Sequence, residues 1–169
     1  MLLRHAKTER AEPGQRDRDR KLIKRGRNDA EIIARYMATH DLIPDLALVS
    51  PARRTQETWE LIANGLEKAP RHIGDDRIYG ATPDELMKLI GEARTAHSRL
   101  VIGHNPGLHE VALQLIASGD VTMREQLSEK LPTSGLVVID FVFNSWTKLH
   151  PQSGRLEHFV TPRMLDEAD

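Results

Sequence analysis

The chain contains no cysteine. That absence removes disulfides, thiolate metal sites and a cysteine nucleophile together. It fits a reducing compartment. Aromatic residues are scarce, at 4% of 169 residues. The basic stretch from Arg16 to Arg27 holds none of them, so it lacks the stacking platforms expected of a single-stranded nucleic-acid binder. Neither sign of charge dominates. The formal net charge is −1, and no global field recruits nucleic acid or acidic membranes. No apolar run is long enough to span a bilayer, and the N-terminus has no signal-peptide core. The expectation is a soluble, cytoplasmic protein with no nucleic-acid or membrane partner, a monomer or weak dimer. The length suits a single domain over residues 1–169.

What is present is a series of short apolar runs alternating with helical patterns. Leu2-Leu3 runs into Arg4 and His5 three residues from the start; the first strand is short, or a residue or two precedes Met1. Residues 8 to 24 are polar, with Pro13 and Gly14, and read as a long loop. From about Arg25, Ala30, Ile33, Ala34 and Met37 fall at i, i+3, i+4, i+7. Leu46 to Val49 is a buried strand. Ser50-Pro51 places an N-cap before a proline at the first helical position, and Thr55, Trp59, Ile62 and Leu66 form that helix's stripe. Thr82 and Glu85 have capping-box spacing, ahead of Leu86, Leu89, Ile90 and Ala93. Leu100 to Gly103 is another strand. Asn105-Pro106 caps the next helix, with stripe Leu108, Val111, Ala112, Leu115 and Ile116. Leu136 to Val142 is a strong strand, and Leu156 to Val160 its weaker hairpin partner. The fold class is α/β: a single-domain three-layer sandwich, its sheet mostly parallel with an antiparallel edge strand, helices on both faces.

In such sheets ligands bind beyond the carboxyl ends of the strands. Three loops leave strands at that edge, carrying Arg4 and His5, Ser50 to Arg54, and His104 with Asn105. Helix starts there favour anions. Arg53 and Arg54 in a helix's first turn oppose its dipole, a local rule broken in a way that suggests function. At roughly 100° per residue, Arg53 points away from the buried stripe and Arg54 sits on its shoulder, so Arg54 is expected to face the site. Phosphoryl transfer needs a nucleophile, cations for the equatorial oxygens and an acid for a poor leaving group. His5 supplies the nucleophile if a carbonyl holds its other nitrogen as N–H. Arg4 and Arg54 chelate oxygens. His104 donates to a further oxygen, best as imidazolium. These groups do the electrostatic work without a metal or other cofactor. Lys7 and Arg20 line the site if the polar loop folds over it. Asn105 is first a helix cap and second a phosphate contact. His40, His72, His97, His109, His150 and His158 read as surface or packing residues, Trp59 as core, and Trp146 as partly exposed.

The strings Leu3-Arg4-His5-Ala6, Ser50-Pro51-Ala52-Arg53-Arg54-Thr55-Gln56-Glu57-Thr58 and Gly103-His104-Asn105-Pro106-Gly107-Leu108 resemble, in that order, the motifs of the histidine phosphatase superfamily, the phosphoglycerate-mutase-like fold. Ala6 stands where the family's first signature has glycine. With Arg20-Lys21-Leu22, Arg25-Gly26 and Pro162-Arg163, the chain is similar to the small SixA-type branch, whose namesake is a protein phosphohistidine phosphatase. The resemblance implies a covalent phosphohistidine mechanism on His5, with Arg4, Arg54 and His104 around the phosphate. It implies a phosphorylated substrate, with a histidine-phosphorylated protein as the leading candidate and a small phosphomonoester as the alternative. A third reading is a phosphate-recognition module without turnover. Mutase-like relatives place an acidic residue before an Arg-x-Tyr-Gly stretch; here Asp76 stands there, with Glu85 and water as rivals for the acid.

Overall fold

The computed structural model describes residues 1–92 and 94–168. Seven strands form one sheet: β1 (Leu2–Arg4), β2 (Leu46–Val49), β3 (Arg71–Gly74), β4 (Arg99–Gly103), β5 (Ile116–Gly119), β6 (Leu136–Phe141) and β7 (Gly154–Val160). Six α-helices accompany them: α1 (Lys24–Thr39), α2 (Arg53–Gly65), α3 (Pro83–Ile90), α4 (Gly107–Leu115), α5 (Val121–Glu129) and α6 (Pro162–Asp166). The strand order is β3-β2-β4-β1-β6-β7-β5. The sheet is mostly parallel, as expected. Its antiparallel member, however, is β6, which pairs antiparallel with both β1 and β7. It lies inside the sheet, because β7 and then β5, parallel to β7, extend the sheet beyond it.

The central strands are buried on both faces, so their side chains alternate between two cores. On one side Leu3, Ala47, Val49 and Ile102 pack with Ile33, Met37, Trp59 and Ile62 of α1 and α2. On the other, Leu2, Leu46, Leu48 and Val101 pack with Leu86, Leu108, Val111 and Leu127 of α3, α4 and α5. Strand β2 shows why its sequence carries no polar position: Leu46, Ala47, Leu48 and Val49 supply both cores in turn.

Helix α3 starts as its sequence dictates. Thr82 accepts from the Glu85 amide and Glu85 from the Thr82 amide, a complete capping box; Ala93, expected on its apolar face, lies outside the described residues. Two other starts differ. Helix α2 begins at Arg53 after Ala52, without a side-chain cap, because Ser50 is still held by the sheet through its amide to Ile102 O. Helix α4 begins at Gly107 after a cis Asn105-Pro106 bond, again without a side-chain cap. Ile116, expected at the end of the α4 stripe, opens β5 instead. Strand β3 carries no apolar pattern: Arg71, His72, Ile73 and Gly74 are all exposed at the sheet edge, where backbone pairing with β2 needs no hydrophobic face.

The polar loop after β1 is ordered by backbone bonds between its two ends. Ile23 N donates to Lys7 O and Glu9 N to Lys21 O, and residues 17–19 form one 3-10 turn between them. Leu22 N donates to buried Glu57 of α2 at 2.8 Å. Gly26 lets α1 start against the Lys7 backbone: a Cβ there would lie 2.1 Å from Lys7 O. The loop is thereby folded onto α2, beside the carboxyl ends of β1, β2 and β4.

Candidate active site

Parallel register brings three strand ends together. Arg4 pairs with Gly103, and Val49 with Ile102, so Arg4 and His5, Ser50, and His104 emerge side by side. His5 is 9% exposed. Its Nδ1 lies 2.8 Å from Ala6 O. A carbonyl only accepts, so Nδ1 carries the proton and Nε2 presents a lone pair. Burial, then the charges of Arg54, Arg4 and Arg20, push the His5 pKa down to about 4. The ring is neutral at physiological pH.

His104 faces it, with ring centroids 5.4 Å apart. Its Nε2 is 2.7 Å from Ser50 Oγ, while its Nδ1 is buried without a partner. Burial, then Arg54 and His5, lower its pKa to about 3. The expectation of an imidazolium at His104 is therefore corrected for the free protein: the cations that attract an anion also expel a proton.

The two arginines converge on the same place. Arg54 is 6% exposed, on the inner shoulder of α2, while the side chain of Arg53 is 55% exposed beside Glu57. Arg4 donates from Nη1 to Leu131 O; burial, then repulsion from Arg54, lowers its pKa. The Nε atoms of both Arg4 and Arg54 are buried and unpartnered. Two orphaned guanidinium N–H groups, a bare imidazole nitrogen and a second unpartnered ring nitrogen belong to one cluster of neighbouring side chains. Buried donors are left unpaired at a cost of about 1–3 kcal/mol each, so such a cluster marks a place built for an anion. Among the described residues no three His, Asp or Glu side chains gather as a metal ligand set.

Sequence reasoning missed one charged member. Asp17, in the 3-10 turn of the folded loop, accepts from Tyr79 Oη at 2.6 Å, Arg54 Nη2 at 2.9 Å and Arg20 Nη1 at 3.0 Å. The Tyr79 hydrogen bond and then the two guanidinium groups hold its carboxyl well below the usual carboxylate range. Arg54 Nη1 also donates to Asp17 O. Asp17 thus takes the outer edge of the Arg54 fork and leaves the Nε edge free. The tertiary fold makes this contact across 37 residues, and no local pattern signals it. Tyr79 and Ser50 were likewise missed as participants. Tyr79 packs edge-on against the His104 ring at 5.4 Å.

The remaining expected residues divide. Arg20 joins the group through Asp17, Thr8 Oγ1 and Glu9 O, and its charge reaches His5. The side chain of Lys7 is exposed and makes no hydrogen bond or ion pair among the described residues. Asn105 donates from Nδ2 to Leu131 O, the same carbonyl that holds Arg4, so it braces the site floor rather than capping α4. Asp76 opens the short 3-10 turn 76–78 and is exposed; its carboxylate makes no hydrogen bond or ion pair among the described residues. Glu85 is engaged in the capping box.

Comparison with known proteins points to one family. Residues 1–78 match the family model of the histidine phosphatase superfamily (branch 1). An uncharacterized protein of Mycobacterium tuberculosis is 32% identical over 164 residues, covering 95% of this chain and 100% of that one. A crystal structure from Agrobacterium tumefaciens, provisionally named phosphohistidine phosphatase SixA, superposes with a TM-score of 0.81 at 32% identity, covering 95% and 96% of the two chains. The protein histidine phosphatase SixA in complex with tungstate shares the fold, with a TM-score of 0.70 at 19% identity over 97% of each chain. With the ordered motifs meeting at one sheet edge and relatives matched over nearly their full length, the chain belongs to the histidine phosphatase superfamily, in its SixA-type branch.

Proposed function

We propose that this protein is a metal-independent phosphatase that passes the phosphoryl group through His5 and acts on phosphohistidine in a protein. The observation that carries the reading is the bare Nε2 of His5, fixed by Nδ1–H to Ala6 O, amid the unpartnered Nε–H groups of Arg4 and Arg54 and the unpartnered Nδ1 of His104. His5 Nε2 attacks phosphorus, and the bond from phosphorus to the leaving atom breaks. Arg4 and Arg54 take the charge on the equatorial oxygens. Water then attacks phospho-His5. Because Nδ1 keeps its proton throughout, the His5 ring departs as neutral imidazole with Nε2 restored, and needs no acid.

The substrate class follows from the leaving group. Asp17, the carboxylate bonded to Arg54, is held ionised by Tyr79, Arg20 and Arg54 and has no proton to donate. Asp76 stands exposed, outside that hydrogen-bonded group. An alkoxide leaves very poorly without a proton. Imidazole leaves well, since the ring titrates near ~6.5 and takes its proton from solvent on the distal nitrogen. A site poor in available acid suits a phosphoramidate bond and disfavours an alkyl ester.

The test compares hydrolysis of a histidine-phosphorylated protein with a panel of alkyl phosphates, with rapid quench to trap phosphate on His5 and His5→Ala as the control. The expected result is a trapped phosphoenzyme and a strong preference for the phosphohistidine protein. A wide margin for alkyl phosphates refutes the substrate. Phosphate binding without any trapped intermediate leaves the recognition module as the correct reading.

A further inference from the structure

We propose that Ser50 is a positioning residue that fixes His104 as the Nδ1–H tautomer, so that the neutral ring donates to a phosphoryl oxygen. The proposal rests on the phosphatase reading above. It begins with the hydroxyl proton of Ser50. Ser50 is fully buried. Its backbone is held from three directions: its amide donates to Ile102 O, and its carbonyl accepts from Thr55 Oγ1 and Gln56 Nε2, each at 2.8 Å. Its Oγ touches a single hydrogen-bonding partner among the described residues, His104 Nε2 at 2.7 Å.

Two assignments are open to that contact. If Nε2 carried the proton and donated to Oγ, the Ser50 O–H would be buried with no acceptor. Nδ1, bare, would then present a lone pair toward the site that Arg4, Arg54 and His5 surround, where an incoming phosphate brings only acceptors. Both groups fail together. If Ser50 donates to Nε2, the hydroxyl is satisfied and Nδ1 must carry the ring proton. The buried Nδ1, without a partner among the described residues, becomes the free donor that an anion between His104 and the arginines can use. A neutral ring needs this device, because burial and the neighbouring cations keep His104 unprotonated in the free site. While it is neutral, the ring donates from one nitrogen only, and something must choose which.

The same geometry explains why the start of α2 departs from its sequence signal. Ser50 has the residue type and position of a helix cap, yet its side chain turns away from the helix toward β4. The turn held by Thr55 and Gln56 supports the Ser50 carbonyl instead, and Ala52 takes the cap position without a side-chain bond. The capping function is given up and the hydroxyl serves His104.

The experiment reads the tautomer directly, by two-bond proton–nitrogen correlation of ring-labelled full-length protein, without phosphate and with inorganic phosphate. The wild type is expected to show His104 protonated on Nδ1 and bare at Nε2. In Ser50→Ala the Nε2–H form should grow, with kcat on a histidine-phosphorylated protein falling about tenfold, less than the ~10²-fold or more expected from deleting a transition-state donor outright, and KM little changed. Ser50→Thr, which keeps the hydroxyl, should restore the Nδ1–H form and most of kcat. Wild-type His104 protonated on Nε2, or a tautomer in Ser50→Ala identical to wild type, overturns the proposal. So does an altered tautomer with full kcat. The tautomer is read without turnover. An inactive protein with His104 protonated on Nδ1 therefore refutes the phosphatase reading and leaves the Ser50 assignment standing.

Discussion

Acidification from pH 7 to pH 5 should destabilise this protein through its two site histidines. Both rings are neutral when folded, with pKa values of about 4 for His5 and about 3 for His104, against ~6.5 in the unfolded chain. The folded values are lowered, so between pH 6.5 and the folded pKa the unfolded chain binds the extra protons. Stability is therefore present above pH 6.5 and is lost as pH falls. At ~1.4 kcal/mol per pH unit, the drop from 6.5 to 5 removes about 2 kcal/mol per ring, or about 4 kcal/mol for both, a large part of a marginal stability of ~5–15 kcal/mol. The Asp17 carboxylate works in the same sense but lower down: its depressed pKa supplies stability above pH ~4 that fades below it. Urea unfolding of wild type at pH 7, 6 and 5 measures the slope. The double variant His5→Asn, His104→Gln removes both rings and cancels every other group. The expected outcome is a wild-type loss about 4 kcal/mol greater than that of the double variant, partly reversed by saturating inorganic phosphate, which stabilises the charged rings. Equal slopes would refute the argument, because they would mean that the rings are not buried neutral among cations.

Other perturbations test the parts of the site separately. Arg54→Lys keeps the charge but loses the fork that meets Asp17 on one edge and leaves Nε unpartnered on the other, the edge proposed for phosphate. We expect kcat/KM on a histidine-phosphorylated protein to fall by about 10²-fold or more, with Arg53→Ala, on the solvent side, close to wild type in the same assay. Asp17→Asn keeps an acceptor for Tyr79 and Arg20 but removes a negative charge bonded to Arg54; competitive inhibition by inorganic phosphate should tighten by about threefold or more, and unchanged inhibition would show that Asp17 does not oppose the incoming anion. Gly26→Ala forces a Cβ to within 2.1 Å of Lys7 O, so thermal unfolding should report a loss of about 2 kcal/mol or more, with the loop over the site loosened.

Much of the fold is written in local patterns. The two-faced burial of β2 and β4, the 3.6-residue stripes of α1 and α2, and the capping box of α3 are each carried by neighbouring residues, and each is legible because it depends on little beyond its own segment. So are the histidine strings, since Arg4-His5 and Gly103-His104 sit where a strand ends. Strand β3 escaped because an exposed edge strand needs no apolar alternation. The place of β6 inside the sheet escaped because strand order is set by which backbone edges meet, and a hairpin pattern is the same in either position.

By itself, then, the sequence determined which residues end the strands and which of two adjacent arginines turns inward, because strand ends and helix phase are local geometry. The tertiary structure decided what those residues become. Only folding brings Asp17 across 37 residues to the outer edge of Arg54, turns Ser50 from a helix cap into the partner of His104, and draws both imidazoles away from water among cations that lower their pKa. The physical reason is that burial and charge proximity are properties of the assembled site: a histidine next to an arginine in the chain has an ordinary pKa until water is removed and a second arginine arrives.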